Sequence, residues 1–64
     1  MKRYQAYAWD GNKYQPMSVP IYKTEEEAID AATEIIMDRN NESVLNSVRR
    51  NWKEKPIITE LKEF

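Results

Sequence analysis

Apolar residues recur at helical spacing between residues 24 and 36, and this is the clearest pattern in the chain. They fall on one stripe of a helix: Ala28, Ile29, Ala32, Ile35 and Ile36. Thr24 and Glu27 have the spacing of a capping box, in which each side chain bonds an unpaired backbone N–H at the helix start. The sequence therefore predicts an amphipathic helix from about residue 25 to residue 38 or 39.

The residues before this helix predict a β-hairpin. Positions 4–9 alternate, with Ala6 and Ala8 on one face and Tyr7 and Trp9 on the other. Asp10-Gly11 follows, which is a strong signal for a hairpin turn. The returning strand spans residues 13–22 and places Met17, Val19 and Ile21 on one face. Because its prolines, Pro16 and Pro20, lack the N–H that a ladder needs, this strand must be interrupted or lie at a sheet edge.

Residues 42–53 fit two structures. Val44, Leu45, Val48 and Trp52 lie on one arc at helical spacing, whereas a content rich in Asn, Ser and Val disfavours a helix. We predict a strand here and keep a second helix as the alternative.

After a polar break that ends at Pro56, residues 57–61 predict a final strand, and Phe64 is positioned to close the core. The expected fold is a single α+β domain over residues 1–64, with the order β-β-α-β-β. It has a small antiparallel sheet and one amphipathic helix packed on one face. The alternative order is β-β-α-α-β.

Composition removes several classes of chemistry. The chain has no cysteine and no histidine, so it cannot form a Cys–His pair, a Ser–His–Asp triad or a zinc site with nitrogen and sulfur ligands. Its single glycine, Gly11, cannot make a glycine-rich phosphate loop. The run Glu25 to Glu27 is interpreted as helix capping and dipole complementarity, not as a metal or acid–base site. We therefore predict a protein that is not an enzyme and that uses no cofactor and no metal.

The N-terminal residues, beginning Met1-Lys2-Arg3, contain no apolar stretch of the kind a secretory signal has. No apolar run elsewhere approaches the length that spans a bilayer. We expect a cytoplasmic protein that does not interact with membranes.

Charge is distributed unevenly along the chain. The net charge is −1, yet residues 23–42 contain seven acidic residues and two basic ones. Four of the acidic residues recur every fourth position and form a row on the predicted helix: Glu26, Asp30, Glu34 and Asp38. Such a row is usually an ordinary solvated face, but it could also dock on a basic partner surface.

Aromatic and basic residues suggest a second function. Tyr7 and Trp9 lie on the predicted hairpin, while Arg49, Arg50 and Lys53 surround Trp52. Aromatic side chains ringed by cations form stacking platforms for single-stranded nucleic acid. The interpretation we prefer is that a domain this small uses its aromatics for its own core.

The sequence as a whole predicts a non-enzymatic binding or regulatory module that acts through protein–protein interaction, with the acidic helix face as the candidate surface. Its partner is a protein of unknown identity. Self-association into a homodimer is also physically motivated, because the domain is small and its sheet leaves edges that can pair. The alternative is a nucleic-acid-binding module that uses Tyr7, Trp9, Arg49, Arg50 and Lys53.

Overall fold

A computed structural model describes residues 1–63 of the chain. Its elements follow the order β1 (Lys2–Trp9), β2 (Tyr14–Pro16), α1 (Glu25–Met37), α2 (Asn46–Asn51), a 3₁₀ turn (Trp52–Glu54) and β3 (Ile58–Glu63). The predicted α+β class is confirmed. The predicted role of Phe64 in closing the core lies outside the described residues.

The three strands form one antiparallel sheet in the order β2-β1-β3, so β1 is central and the other two strands are edges. Along β1, Tyr7 lies opposite Pro16 of β2 and Ile58 of β3. Because opposite residues of an antiparallel pair project to the same side, these three residues share one face of the sheet. The final strand predicted from residues 57–61 is confirmed, displaced by one or two residues at its ends.

The hairpin predicted at Asp10-Gly11 is confirmed, since these residues form the turn between β1 and β2. Gly11 has a φ of 99°, and a Cβ at this position would lie 2.8 Å from Nδ2 of Asn51. That amide donates hydrogen bonds to the carbonyl oxygens of Asp10, at 3.1 Å, and Ser47, at 2.8 Å. Glycine is required here both by its backbone conformation and by the close approach of α2.

The returning strand is short, as its prolines predict. β2 ends at Pro16 and lies at a sheet edge. Beyond it, the hydroxyl of Ser18 accepts a hydrogen bond from the Ala6 N–H at 3.0 Å, in place of a backbone carbonyl. The predicted apolar face of this strand is only partly buried, because Val19 and Ile21 are 59% and 61% exposed.

Helix α1 begins at the predicted residue, with one of the two hydrogen bonds of the predicted capping box. The hydroxyl of Thr24 accepts a hydrogen bond from the Glu27 N–H at 3.2 Å, which satisfies one of the free donors of the first turn. The helix ends at Met37, and Asp38 follows in an extended conformation. Its predicted boundaries are correct to within one or two residues.

Small residues dominate the contact between α1 and the sheet. One buried cluster joins Ala6 of β1 to Ala28 and Ala32 of α1, and all three are fully buried. A second cluster joins Ala8 to larger side chains: Ile36, Val44 and Val48. Alanine at these positions allows the helix backbone to approach the sheet closely.

The predicted order β-β-α-β-β is wrong, because residues 46–51 form helix α2 and not a fourth strand. The Arg49 N–H donates to the Leu45 carbonyl at 3.1 Å, in the pattern of a helix. Val44 and Val48, one turn apart, are both buried. Burial of these two side chains on the same side outweighs the modest helix propensity of the segment. The element order is the alternative, β-β-α-α-β, with the 3₁₀ turn added.

Candidate functional site

The acidic row lies on the outer side of α1. Glu26, Asp30 and Glu34 are exposed on the face opposite Ala28 and Ala32, which pack on the sheet. The structure therefore brings these three predicted residues together on one rigid surface.

The fourth member of the row, Asp38, is placed differently. It lies past the end of the helix, where its side chain accepts a hydrogen bond from the Asn40 N–H at 3.0 Å. Asp38 is thus exposed at the end of the row but is used to shape the turn that follows α1.

The three helical acids have no cationic partner in the described part of the chain. The only ion pair among residues 1–63 joins Lys62 to Glu60, at 3.3 Å on the sheet. The negative potential of the outer face of α1 is therefore not neutralised within residues 1–63.

Arg49, which the sequence offered as a nucleic-acid contact, is instead part of the fold. Its guanidinium donates to the carbonyl oxygens of Ile36 and Asp38, each at 3.0 Å, and to that of Asn41. These carbonyls lie at or beyond the end of α1, where a helix leaves acceptors without partners. Sequence reasoning missed this role. One signal was available: the last turn of α1 contains no basic residue, so a residue from elsewhere in the chain had to bond these carbonyls.

The other members of the predicted nucleic-acid set lie on separate surfaces. Arg50 is exposed on α2, and Nζ of Lys53 lies 5.5 Å from the centre of the Trp52 ring. Tyr7 and Trp9 lie on the face of the sheet that the helices leave uncovered, which we call the open face. The five predicted residues do not form one site.

The open face presents an aromatic pair. Trp9 and Tyr14 are opposite each other on β1 and β2, with ring centres 5.2 Å apart and planes at 67°. The Tyr14 hydroxyl donates to the Pro56 carbonyl at 3.0 Å, which fixes its ring across the sheet. Edge-to-face contacts of this kind stabilise both rings.

A lysine that sequence reasoning missed completes this group. Nζ of Lys55 lies 3.9 Å from the centre of the Trp9 ring, close enough for a cation–π interaction. The indole N–H of Trp9 donates to the Glu54 carboxylate at 3.2 Å. Only the fold, which brings the 3₁₀ turn beside the hairpin, reveals that residues 54 and 55 belong with Trp9.

Further along the open face, Lys62 is in a polar cluster with Tyr7 and Glu60. The phenol of Tyr7 and then the carboxylate of Glu60 raise the pKa of Lys62 above its usual value, because both stabilise the ammonium form. The lysine therefore remains protonated throughout the physiological range.

Two adjoining concavities of about 420 and 490 Å³ lie beside α1, and both are bordered by Trp52 and Lys53. The smaller is also lined by Ile36, Met37, Arg39 and Arg49, and the larger by Ile29, Thr33, Lys55, Pro56 and Ile57. Neither lining contains an acidic residue. Both linings thus combine apolar side chains with basic ones, whereas the outer face of α1 is acidic.

Residues 1–63 contain neither a cluster of metal ligands nor a membrane-spanning helix. No group of three or more acidic, histidine or cysteine side chains in this range is arranged to hold a metal ion. No helix in the same range is both long and apolar enough to cross a bilayer.

No protein-family model matches the chain, and comparison with curated proteins and with solved structures gives no significant match. The function must therefore be argued from the surfaces themselves.

Proposed function

We propose that this protein is a non-enzymatic binding module that docks a basic surface of a partner protein on the outer face of α1, with the cytoplasm as its expected compartment. The observation that carries this proposal is the unneutralised acidic row of Glu26, Asp30 and Glu34, with Asp38 at its end. Opposite charge on a partner would accelerate association and select against acidic competitors.

Helix α1 is held at both ends and along its inner face, which favours a role in binding a partner. The hydroxyl of Thr24 caps its start, Ala28 and Ala32 hold its inner face against the sheet, and Arg49 bonds the carbonyls at its end. A helix fixed at both ends and along one side presents its outer charges without an entropic cost of ordering the backbone on binding.

The test is a variant that neutralises the row with little change of shape, Glu26→Gln combined with Asp30→Asn and Glu34→Gln. A matched control, Glu42→Gln with Glu54→Gln and Glu63→Gln, removes the same charge elsewhere. Proteins captured from the native host by the wild type are then titrated against all three forms. We expect binding at least ~10-fold weaker for the row variant and little change for the control. Equal binding by both variants, or capture of no partner, would contradict the proposal.

A second candidate function, binding of single-stranded nucleic acid, is favoured by one observation. The open face of the sheet presents Trp9 and Tyr14 side by side with Lys55 above the Trp9 ring. Bases stack on aromatic ring faces, and a base on Trp9 would displace Lys55 from that ring toward a phosphate. The residues that would act are thus Tyr7, Trp9, Tyr14 and Lys55. Arg49 does not belong to the set.

This candidate is tested by titrating single-stranded DNA and RNA against the protein at several salt concentrations. If it holds, affinity falls steeply with salt, and Lys55→Gln weakens binding while Lys23→Gln, a lysine outside the open face, does not. Absence of binding at low salt would eliminate nucleic acid as the ligand.

A further inference from the structure

The outer edge of β3 is unpaired in the described part of the chain. β3 is the last strand in the order β2-β1-β3, and no backbone hydrogen bond within residues 1–63 joins its outer side to another segment. An edge strand of this kind presents a row of backbone donors and acceptors that another strand can pair with.

The side chains of β3 alternate between the two faces of the sheet. Leu61 lies opposite Tyr4 on the helix-covered face and is 46% exposed. Glu60 lies opposite Gln5, and Lys62 lies opposite Arg3, so both charges project from the open face. An apolar side chain on one face is thus flanked in sequence by an acid and a base on the other.

We propose that β3 pairs antiparallel with β3 of a second copy, on a two-fold axis that passes between the two Leu61 residues. The two sheets then continue as one sheet of six strands. Leu61 contacts its counterpart on the helix-covered face. On the open face, Glu60 of each copy lies opposite Lys62 of the other, which gives two symmetric ion pairs.

The charges select this register over its neighbours. An axis at Glu60 would place the two Glu60 carboxylates opposite each other, and an axis at Lys62 would oppose the two ammonium groups. An axis at Thr59 would bring Pro56, which has no N–H, into the ladder. Of these positions, only the axis at Leu61 avoids like charges and places an acid opposite a base on both sides of the axis.

Charged residues on an edge strand commonly prevent pairing, because they meet like charges or lose their hydration. Here the order of the charges has the opposite effect. An acid and a base two residues apart are self-complementary under a two-fold axis placed midway between them. In the dimer the pair within each chain, 3.3 Å apart, joins the pairs between chains in a square of alternating charge.

The β3 edge is separate from the acidic face of α1, and pairing there does not depend on the proposed function. Glu26, Asp30 and Glu34 project from the side of α1 away from the sheet, so their neutralisation leaves the β3 edge unchanged. Loss of partner binding and loss of self-association are therefore separate outcomes.

The experiment is sedimentation equilibrium of the wild type, of Glu60→Lys, of Lys62→Glu and of an equimolar mixture of the two variants. Each variant alone would oppose like charges twice, and we expect its dimer to be about 10-fold weaker than the wild type. In the mixture, every position opposite a lysine is occupied by a glutamate, so a heterodimer should form with nearly wild-type affinity.

The mixture is the decisive sample, because both variants lose the ion pair within their own chain. Rescue by mixing therefore reports contacts between chains. The loss in each variant alone reports the register, because only the axis at Leu61 opposes Glu60 to Lys62 in the wild type. Circular dichroism of each variant establishes that it is folded. A wild type that stays monomeric at every concentration, or a mixture that associates no better than its components, would overturn the proposal.

Discussion

The two faces of the sheet are built from opposite kinds of residue. On the helix-covered face, Ala6 and Ala8 are fully buried. On the open face, their neighbours Tyr7 and Trp9 are half-buried although they are far larger. The largest fully buried side chain among residues 1–63 is Val48. Size and burial therefore do not go together in this domain.

The difference indicates which face of the sheet stabilises the fold and which face is left accessible to other molecules. Small side chains let α1 and α2 lie close to β1, and the side chains buried between them form the core. Three of the large aromatics are thereby left on a surface that no helix covers. Our preferred interpretation of the aromatics, that the core would use them, holds for Tyr4, Tyr22 and Trp52, which pack against the buried clusters. It is wrong for Tyr7, Trp9 and Tyr14.

The largest effect is expected from enlarging a residue of the covered face. Ala32→Leu places three extra carbon atoms where Ala32 is fully buried against β1, and should lower the free energy of unfolding by about 2–3 kcal/mol. Ala31→Leu, on the same helix but only half-buried, is the control and should cost much less. Urea unfolding of both measures the difference. Equal losses would mean that the contact between helix and sheet is not tight.

A smaller effect is expected from removing an aromatic of the open face. Trp9→Ala loses the contact with Tyr14, the cation of Lys55 and the bond to Glu54, all near the surface. We expect a loss of about 1 kcal/mol in urea unfolding, with Trp9→Phe losing less because an aromatic face remains. If Trp9→Ala lowered the free energy of unfolding as much as Ala32→Leu, the open face would be part of the stabilising core. The contrast between the two faces would then be wrong.

The smallest effect on stability is expected from protonating Asp10, in the turn that joins β1 to β2. The N–H groups of Lys13 and Asn12 and the amide of Gln15 bond the Asp10 carboxylate, with Lys13 the largest contributor, and lower its pKa below 3.8. A lowered folded pKa means that the charged form stabilises the hairpin at neutral pH. This contribution is lost as the pH falls through the folded pKa.

Asp10→Asn removes this titration. Between about pH 5 and about pH 2, the urea midpoint of the wild type should therefore fall slightly more than that of the variant. Parallel curves would show that the Asp10 charge does not stabilise the folded turn.

Local signals in the sequence predicted local structure well. The cap at Thr24, the turn at Gly11 and the interruption at Pro16 each depend on a few adjacent residues, and each is confirmed. The strand predicted around Val48 is wrong, because the segment's intrinsic propensity is weak and burial against Ala8 decides its structure. Intrinsic helix propensity contains no information about such a contact between distant positions.

The same distinction applies to the candidate surfaces. Four-residue spacing was enough to place Glu26, Asp30 and Glu34 on one side of a helix. The alternation of β1 correctly separated Tyr7 and Trp9 from Ala6 and Ala8, but it could not indicate which face the helices would cover. The roles of Lys55 and Arg49 depend on contacts across the fold, so only the structure reveals them.

The alanines of the covered face also constrain how the sequence can diverge. Every residue except glycine is larger than alanine, so almost any substitution at Ala6, Ala8, Ala28 or Ala32 must displace a helix or be matched by a loss of volume nearby. The open-face residues Tyr7 and Trp9 are only half-buried, so a change of volume there displaces no helix, although their contacts with neighbours are still lost. In descendants of this chain, we expect the open face to change in single steps more often than the covered face.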